Sequence, residues 1–303
     1  MFSCSTCWNS GRHTNGGAML QEILDLGFDR VELGHGIRLS LMEGVQKFYE
    51  AGKVKFSTLH NFCPLPIEVT HAAPDCYEFS SHRESERERA VKLTLQTIDF
   101  ASRLGAGLVV LHLGRVPMGP VTDKLVELAE KGEHLSRKYV KIKLKAVKER
   151  EKKVALYLQR AKDCLTRIID YAGSRYVKLG IEGRFGFEEI PSEREVIPLL
   201  DELNTTNVGY WHDFGHIQVK ENLGFVDHAE WLAQISPRML GGHLHDVQWP
   251  GTDHRAPFTG AIDYGKLVPL LPKNCLLVWE MSPRRKADEI RESLQKWKER
   301  FGE

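Results

Sequence analysis

Val208-Gly209-Tyr210-Trp211-His212-Asp213-Phe214-Gly215-His216 decides how the rest of the chain reads. An apolar run climbs to a carboxylate, and an imidazole follows three residues later across a glycine. The pattern is that of a buried strand ending at Asp213, with His216 on the turn just beyond it. A carboxylate oxygen and a ring nitrogen then face one point, as a divalent cation needs. An Asp and a His at this spacing also arise by chance, so the stretch does not decide the chemistry alone. Three others share its design: Leu179-Gly180-Ile181-Glu182, Leu240-Gly241-Gly242-His243 and Leu276-Leu277-Val278-Trp279-Glu280. Each is short, apolar or glycine-bearing, and closes on a potential ligand. Together they point to a metal site.

Working outward, further strands are expected over 2–7, 28–33, 54–60 and 107–112, joining those over 176–182, 207–213, 239–244 and 275–280. Helical spacing of apolar residues falls between them, over 17–26, 39–51, 84–104, 192–203, 226–234, 264–271 and 286–300. Ser192 followed by Glu195 has the form of a capping box. Eight strands alternating with helices, too widely spaced for hairpins, predict a parallel sheet, and eight such units favour closure into a (β/α)8 TIM barrel. That architecture needs about 250 residues. The excess falls after the fourth strand, in an insertion at 117–172, where Thr122 to Tyr171 is almost wholly helix-forming with Lys and Arg crowded between Arg137 and Lys153. It reads as a solvated helical hairpin over the barrel, or as a basic lid or docking surface for an anionic partner. With no linker or repeat, 1–303 reads as one domain with this insertion.

The 303 residues are 42% hydrophobic and 27% charged, with a formal net charge of +1, so no global bias toward nucleic acid or an anionic membrane appears. No apolar run approaches the ~20 residues of a membrane span, and no signal-peptide core is evident. Six cysteines make no disulfide framework in a chain this long. Cys4 and Cys7 form a CxxC without a second pair and read as strand-end packing, or as a redox motif in uncertain context. Reduced cysteines and a cytoplasmic location are expected.

In a barrel of this kind the chemistry lies at the C-terminal ends of the strands. Those ends carry Glu32, His60, His112, Glu182, Asp213, His243 and Glu280. One such residue is ordinarily a hydrogen-bonded structural group. Seven in successive units would be costly to bury unless paired or metal-bound. Glu182, Asp213, His243 and Glu280 offer three hard oxygens and one imidazole, a set suited to Mn²⁺, Mg²⁺ or Co²⁺ and compatible with Zn²⁺. Two carboxylates flanking a metal-bound hydroxy-carbonyl also supply the base and acid for enolisation. Arg184 and Arg284 read either as anchors for a carboxylate or phosphate or as surface arginines. His245 and Asp246 read as supports for the ligands.

Ile181-Glu182, His212-Asp213-Phe214-Gly215-His216, His243-Leu244-His245-Asp246-Val247, Asp253-His254 and Trp279-Glu280 resemble the xylose isomerase-like superfamily of sugar isomerases and epimerases. The resemblance covers most of the barrel and is specific in its second half. It implies that Glu182, Asp213, His243 and Glu280 bind one metal, that Glu182 and Glu280 also move the proton, and that His216 contacts substrate. His60, His112 and His254 join His216, Arg184 and Arg284 as candidate substrate contacts. Gly260, Ile262 and Asp263 follow His254 as in the family's glycine-containing turn, with Phe258 where a glycine is usual. Apurinic-site endonucleases of the same superfamily hold three zinc ions and also use residues matching His60, His112, His216 and His254. Thr252 stands in place of one of their aspartates, with Asp253 beside it, and the basic excess lies in the insertion. Both departures point to one metal and away from nucleic acid. The expectation is a metal-dependent isomerase or epimerase of a small sugar or polyol, with a homo-oligomer admitted. A sugar or cyclitol dehydratase, an endonuclease-like phosphodiesterase and a non-catalytic metal-stabilised binding protein are the alternatives.

Overall fold

In a computed structural model, which describes residues 2–302, eight parallel strands close into a barrel. They are β1 (Phe2–Ser5), β2 (Arg30–Leu33), β3 (Lys55–His60), β4 (Leu108–Leu111), β5 (Lys178–Glu182), β6 (Val208–Asp213), β7 (Met239–Leu244) and β10 (Leu276–Trp279). A two-stranded antiparallel hairpin, β8 (Asp246–Gln248) and β9 (Thr252–Arg255), rises between β7 and β10. The helices are α1 (Gly16–Leu24), α2 (Met42–Glu50), α3 (Glu84–Arg103), α4 (Val121–Glu130), α5 (Arg137–Ser174), α6 (Glu193–Leu203), α7 (Phe214–Asn222), α8 (His228–Ile235), α9 (Tyr264–Leu267) and α10 (Ala287–Phe301). Among the described residues no helix is long and apolar enough to cross a membrane. The (β/α)8 architecture is therefore the one expected.

The strand glycines have a packing cause. Trp211 on β6 points into the barrel, where a Cβ on Gly241 would lie 2.5 Å from its ring and one on Gly180 3.2 Å from its Cβ. The indole thus fills the interior only because β5 and β7 carry glycine beside it. Leu108, Val110 and Val278 pack with it into a floor beneath the strand ends.

Three local features differ from expectation. Residues after Asp213 form α7 directly, so His216 lies in the first turn of a helix and not on an open turn. The hairpin β8–β9 had no expectation. Finally, 117–172 is not simply a solvated hairpin. The C-terminal half of α5 is the barrel helix between β4 and β5, with Ala161, Cys164, Leu165, Ile168, Ile169 and Ala172 buried. Its N-terminal half and α4 grip the rim. The Tyr139 hydroxyl donates to Leu223 O at 3.0 Å, and Arg150 donates to Phe187 O at 2.8 Å and Glu189 O at 2.7 Å while pairing with Glu195. Thr122 donates to Glu188 at 2.7 Å and accepts from Phe187 N at 2.8 Å.

Candidate functional site

Side chains two apart on a strand share a face. Glu182, Asp213, His243 and Glu280 stand two residues beyond the inward-facing Gly180, Trp211, Gly241 and Val278, so all four look inward above the floor. One ligand atom from each lies within 4.8 Å of those from the other three. All four residues are at most 3% exposed.

Their geometry fits a divalent ion. His243 Nδ1 is buried without a hydrogen-bond partner, yet it stands 3.3 Å from Glu280 Oε2, 3.5 Å from Glu182 Oε1 and 3.6 Å from Asp213 Oδ2. Such separations are long for N–H···O bonds. They match the roughly 3.3–3.6 Å edges of a tetrahedron whose metal–ligand bonds are about 2.0–2.2 Å. The ring's other nitrogen, Nε2, faces Glu32 at 3.2 and 3.3 Å, and Glu32 also accepts from Thr58 Oγ1 at 2.7 Å. A carboxylate on the far nitrogen directs the Nδ1 lone pair at the ligand position. Glu32 is thus a support for His243 rather than one of the converging four.

Burial opposes charge throughout this cluster, and pairing outweighs it. Burial pushes Glu182 up, but His112 and His243 hold it well below the ordinary carboxylate value. Asp213 is held low against burial by His216 and His245, and Glu280 by His243 and His254. Burial lowers His243, but Glu280, Glu32 and Glu182, with Asp213, lift it well above its usual value. Three ionised carboxylates converging under one ring are what a bound cation would stabilise.

The remaining histidines surround this set. His60 Nε2 and His112 Nε2 both face Glu182 Oε2, at 3.0 and 2.9 Å, while their Nδ1 atoms face Asn61 O at 3.0 Å and Asp75 at 2.8 Å. His216 donates from Nδ1 to Gly183 O at 3.0 Å, and its Nε2 lies 3.9 Å from Asp253. His254 contacts Asp253 at 3.1 Å and has its Nε2 3.6 Å from Glu280 Oε2. Asp253, His254 and Glu280 line a cavity of about 390 Å³ that opens the site to solvent. Arg284 is exposed on its rim. Arg184 is neither a surface residue nor free: it is buried, donates to Asp75 at 3.0 Å, pairs with Glu189 and abuts His112. Its guanidinium orients His112 and Asp75.

His245 and Asp246 support their neighbours as expected. His245 Nδ1 accepts from His254 N at 2.9 Å, so its proton sits on Nε2, 3.0 Å from Asp213 Oδ1. Asp246 accepts the backbone N–H groups of Val247, Gly260 and Ile262 at 2.8, 3.0 and 3.1 Å. The structure adds Asp75, His35 and Cys7 to the residues expected around the site. Asp75 lies in a loop without periodicity and gave no signal. His35, between two glycines after β2, was legible as a strand-end imidazole.

The chain is similar to solved sugar epimerases across almost its whole length. A D-tagatose 3-epimerase-like protein superposes with a TM-score of 0.70 at 18% identity, covering 98% of this chain and 97% of that one. The 3-keto-D-glucoside 4-epimerase YcjR from E. coli gives 0.68 at 13% identity, with 98% of each covered. These likenesses establish the fold. The uncharacterized protein y4fM of Sinorhizobium fredii (strain NBRC 101917 / NGR234) is 24% identical over 211 residues, and the match spans 66% of this chain but only 56% of the relative's length. The family model described as xylose isomerase-like TIM barrel matches residues 20–300. The chain belongs to the xylose isomerase-like TIM barrel family.

Proposed function

We infer that this protein is a divalent-metal-dependent sugar epimerase or isomerase, acting by proton transfer next to a carbonyl of a small polyhydroxylated substrate. The observation that carries the reading is the convergence of Glu182, Asp213, His243 and Glu280 about an unpartnered imidazole nitrogen. The activities named for the similar structures support the substrate class. A bound cation supplies Lewis-acid polarisation of the substrate's oxygens. The barrel order β10–β7–β6–β5 sets Glu280 and Glu182 on either side of the pair carrying His243 and Asp213. Glu280 takes the proton from one face of a carbon, and Glu182 delivers to the opposite face a proton that reaches it from the His112 imidazolium at 2.9 Å, which inverts the centre; the reverse direction exchanges the two roles. Glu280 faces the cavity, while Glu182 Oε2 is held by His60 and His112, which fix that carboxylate. His254 lines the cavity and His216 lies beneath it beside Asp253; both orient hydroxyl groups, with Arg284 at the mouth.

A three-ion phosphodiesterase is the competing reading, because His60–His112–Glu182 and His216–His245–His254 also bring ligand atoms within 4.8 Å. Two contacts weigh against it. The Arg184 cation stands against His112 Nε2, and His245 Nδ1 is committed to the His254 N–H. The test is a panel of ketoses, aldoses and cyclic polyol ketones in heavy water with added Mg²⁺ or Mn²⁺, beside duplex DNA with one abasic site. Deuterium entering next to the carbonyl, abolished by chelator and by Glu280→Gln, is the expected result. Loss of water from a cyclitol would make the protein a dehydratase, and strand cleavage without exchange would replace the reading with the phosphodiesterase.

A further inference from the structure

The CxxC of the sequence is split by the fold. Cys4 is fully buried, with its thiol toward Ser5 O. Cys7, in the turn Thr6–Trp8 after β1, presents its thiol to the same cavity that His35 and Glu280 line. Ligand atoms of Cys7, His35 and Glu280 lie within 4.8 Å of one another. None of the proton-transfer roles assigned above uses the thiol or the His35 ring.

The pocket for the sulfur is built into the end of β2. A Cβ on Gly34 would lie 2.4 Å from Cys7 Sγ and 3.1 Å from Cys7 N, so any other residue there would displace the thiol. The Gly34 N–H is pinned by Thr6 Oγ1 at 2.8 Å, which fixes the two segments against each other. Cys7 Sγ stands 3.6 Å from His35 Nδ1. Metal–sulfur and metal–nitrogen bonds of about 2.3 and 2.0–2.1 Å at the tetrahedral angle put sulfur and nitrogen about 3.5–3.6 Å apart. The hydrogen-bonded separation already present thus equals the edge of a zinc-type tetrahedron, so an ion could replace the shared proton.

We propose that Cys7, His35 and Glu280 form a second metal site, for a thiophilic divalent ion such as Zn²⁺, with Glu280 shared with the first site. One sulfur, one nitrogen and one oxygen leave a fourth position open to the cavity, the donor pattern of zinc sites that keep an exchangeable ligand. The first site, with three carboxylates and one imidazole, favours harder ions, so the two differ in selectivity. Binding converts the Cys7 thiol to a thiolate, and the proton goes to solvent. Glu280 would offer one oxygen to each ion, and with both engaged it could not take up a proton, so a filled second site belongs to a resting form of the enzyme.

The probe is Co²⁺, titrated into the full chain after chelator treatment and dialysis and read by absorption spectroscopy. Thiolate-to-cobalt charge transfer marks sulfur ligation, whereas an oxygen and nitrogen site produces none. The expected result is a charge-transfer band that is lost in Cys7→Ser and weakened in His35→Ala, with circular dichroism showing both variants folded. Zn²⁺ should erase the wild-type band and protect one thiol from a thiol reagent; Mg²⁺ should do neither. The band should persist in Asp213→Ala, which tests the first site separately. Absence of any thiolate band, its retention in Cys7→Ser, or its loss in Asp213→Ala would overturn the second site.

Discussion

Asp213 does two things with one side chain. Oδ1 accepts from His216 N at 2.7 Å and so caps α7, while Oδ2 faces His243 Nδ1 at 3.6 Å. Asparagine caps as well as aspartate, and alanine caps poorly, at a cost of about 1 kcal/mol. Asp213→Asn should therefore lose most bound metal with little change in unfolding free energy. Asp213→Ala should lose the metal and about 1 kcal/mol as well, by metal analysis and urea titration. A second residue-level prediction concerns His112. Burial and Arg184 press its imidazolium toward neutrality, but Asp75 and Glu182 outweigh them and lift it from 6.5 to about 9. A raised histidine stabilises the fold fully below the unfolded value and loses that contribution as pH climbs through the folded one. The melting temperature of metal-free protein should fall between pH 6.5 and about 9, and Asp75→Asn should remove most of that slope. Parallel curves would contradict the pairing. Phe258 shows how far one residue was legible: it stands where the family usually has glycine, and its φ is 68°. The sequence flagged the departure. It could not show that the ring packs against Tyr264 and Trp297, at 5.3 and 5.8 Å, contacts that offset the left-handed backbone.

At the scale of elements, the strands were legible as short apolar runs, seven of which close on a titratable side chain, and β7 matches its expected bounds of 239–244. The capping box at Ser192 and Glu195 is also present at the start of α6. By contrast, α7 was invisible because it has no polar face to produce a helical stripe: eight of its nine residues are buried. Its polar groups are satisfied inside, Lys220 by Glu193 at 2.6 Å and Asn222 by Pro250 O at 2.9 Å. Tertiary partners decide such a helix, and sequence spacing does not name them. The insertion was legible as helix but not in its docking, because an arginine in a lysine-rich run carries no mark of burial. Arg150 is 4% exposed and holds Glu195 with two rim carbonyls. Arg150→Met should destabilise the protein by about 3–5 kcal/mol in urea titration, the range for stranding one buried charge. Metal content should not change, since no proposed ligand lies on α5. Loss of metal in a folded Arg150→Met protein would mean that the rim helps hold the ligands.

For the whole molecule, the barrel brings together side chains that lie almost a hundred residues apart in sequence, and the glycines beside Trp211 give that assembly a packed floor. The candidate ligands were readable because barrel closure places every strand end on one face. Their supporting partners, Asp75 and Arg184 above all, were not, because a loop carboxylate and a buried arginine acquire their roles only in three dimensions. The central claim is that Glu182, Asp213, His243 and Glu280 hold one divalent ion at the head of the barrel. Its most direct test is an anomalous difference map at the manganese absorption edge, from crystals grown with Mn²⁺. The account predicts a peak bonded to His243 Nδ1 and to one oxygen of each of the three carboxylates. A peak only at another set of residues, or none at saturating Mn²⁺, would contradict it.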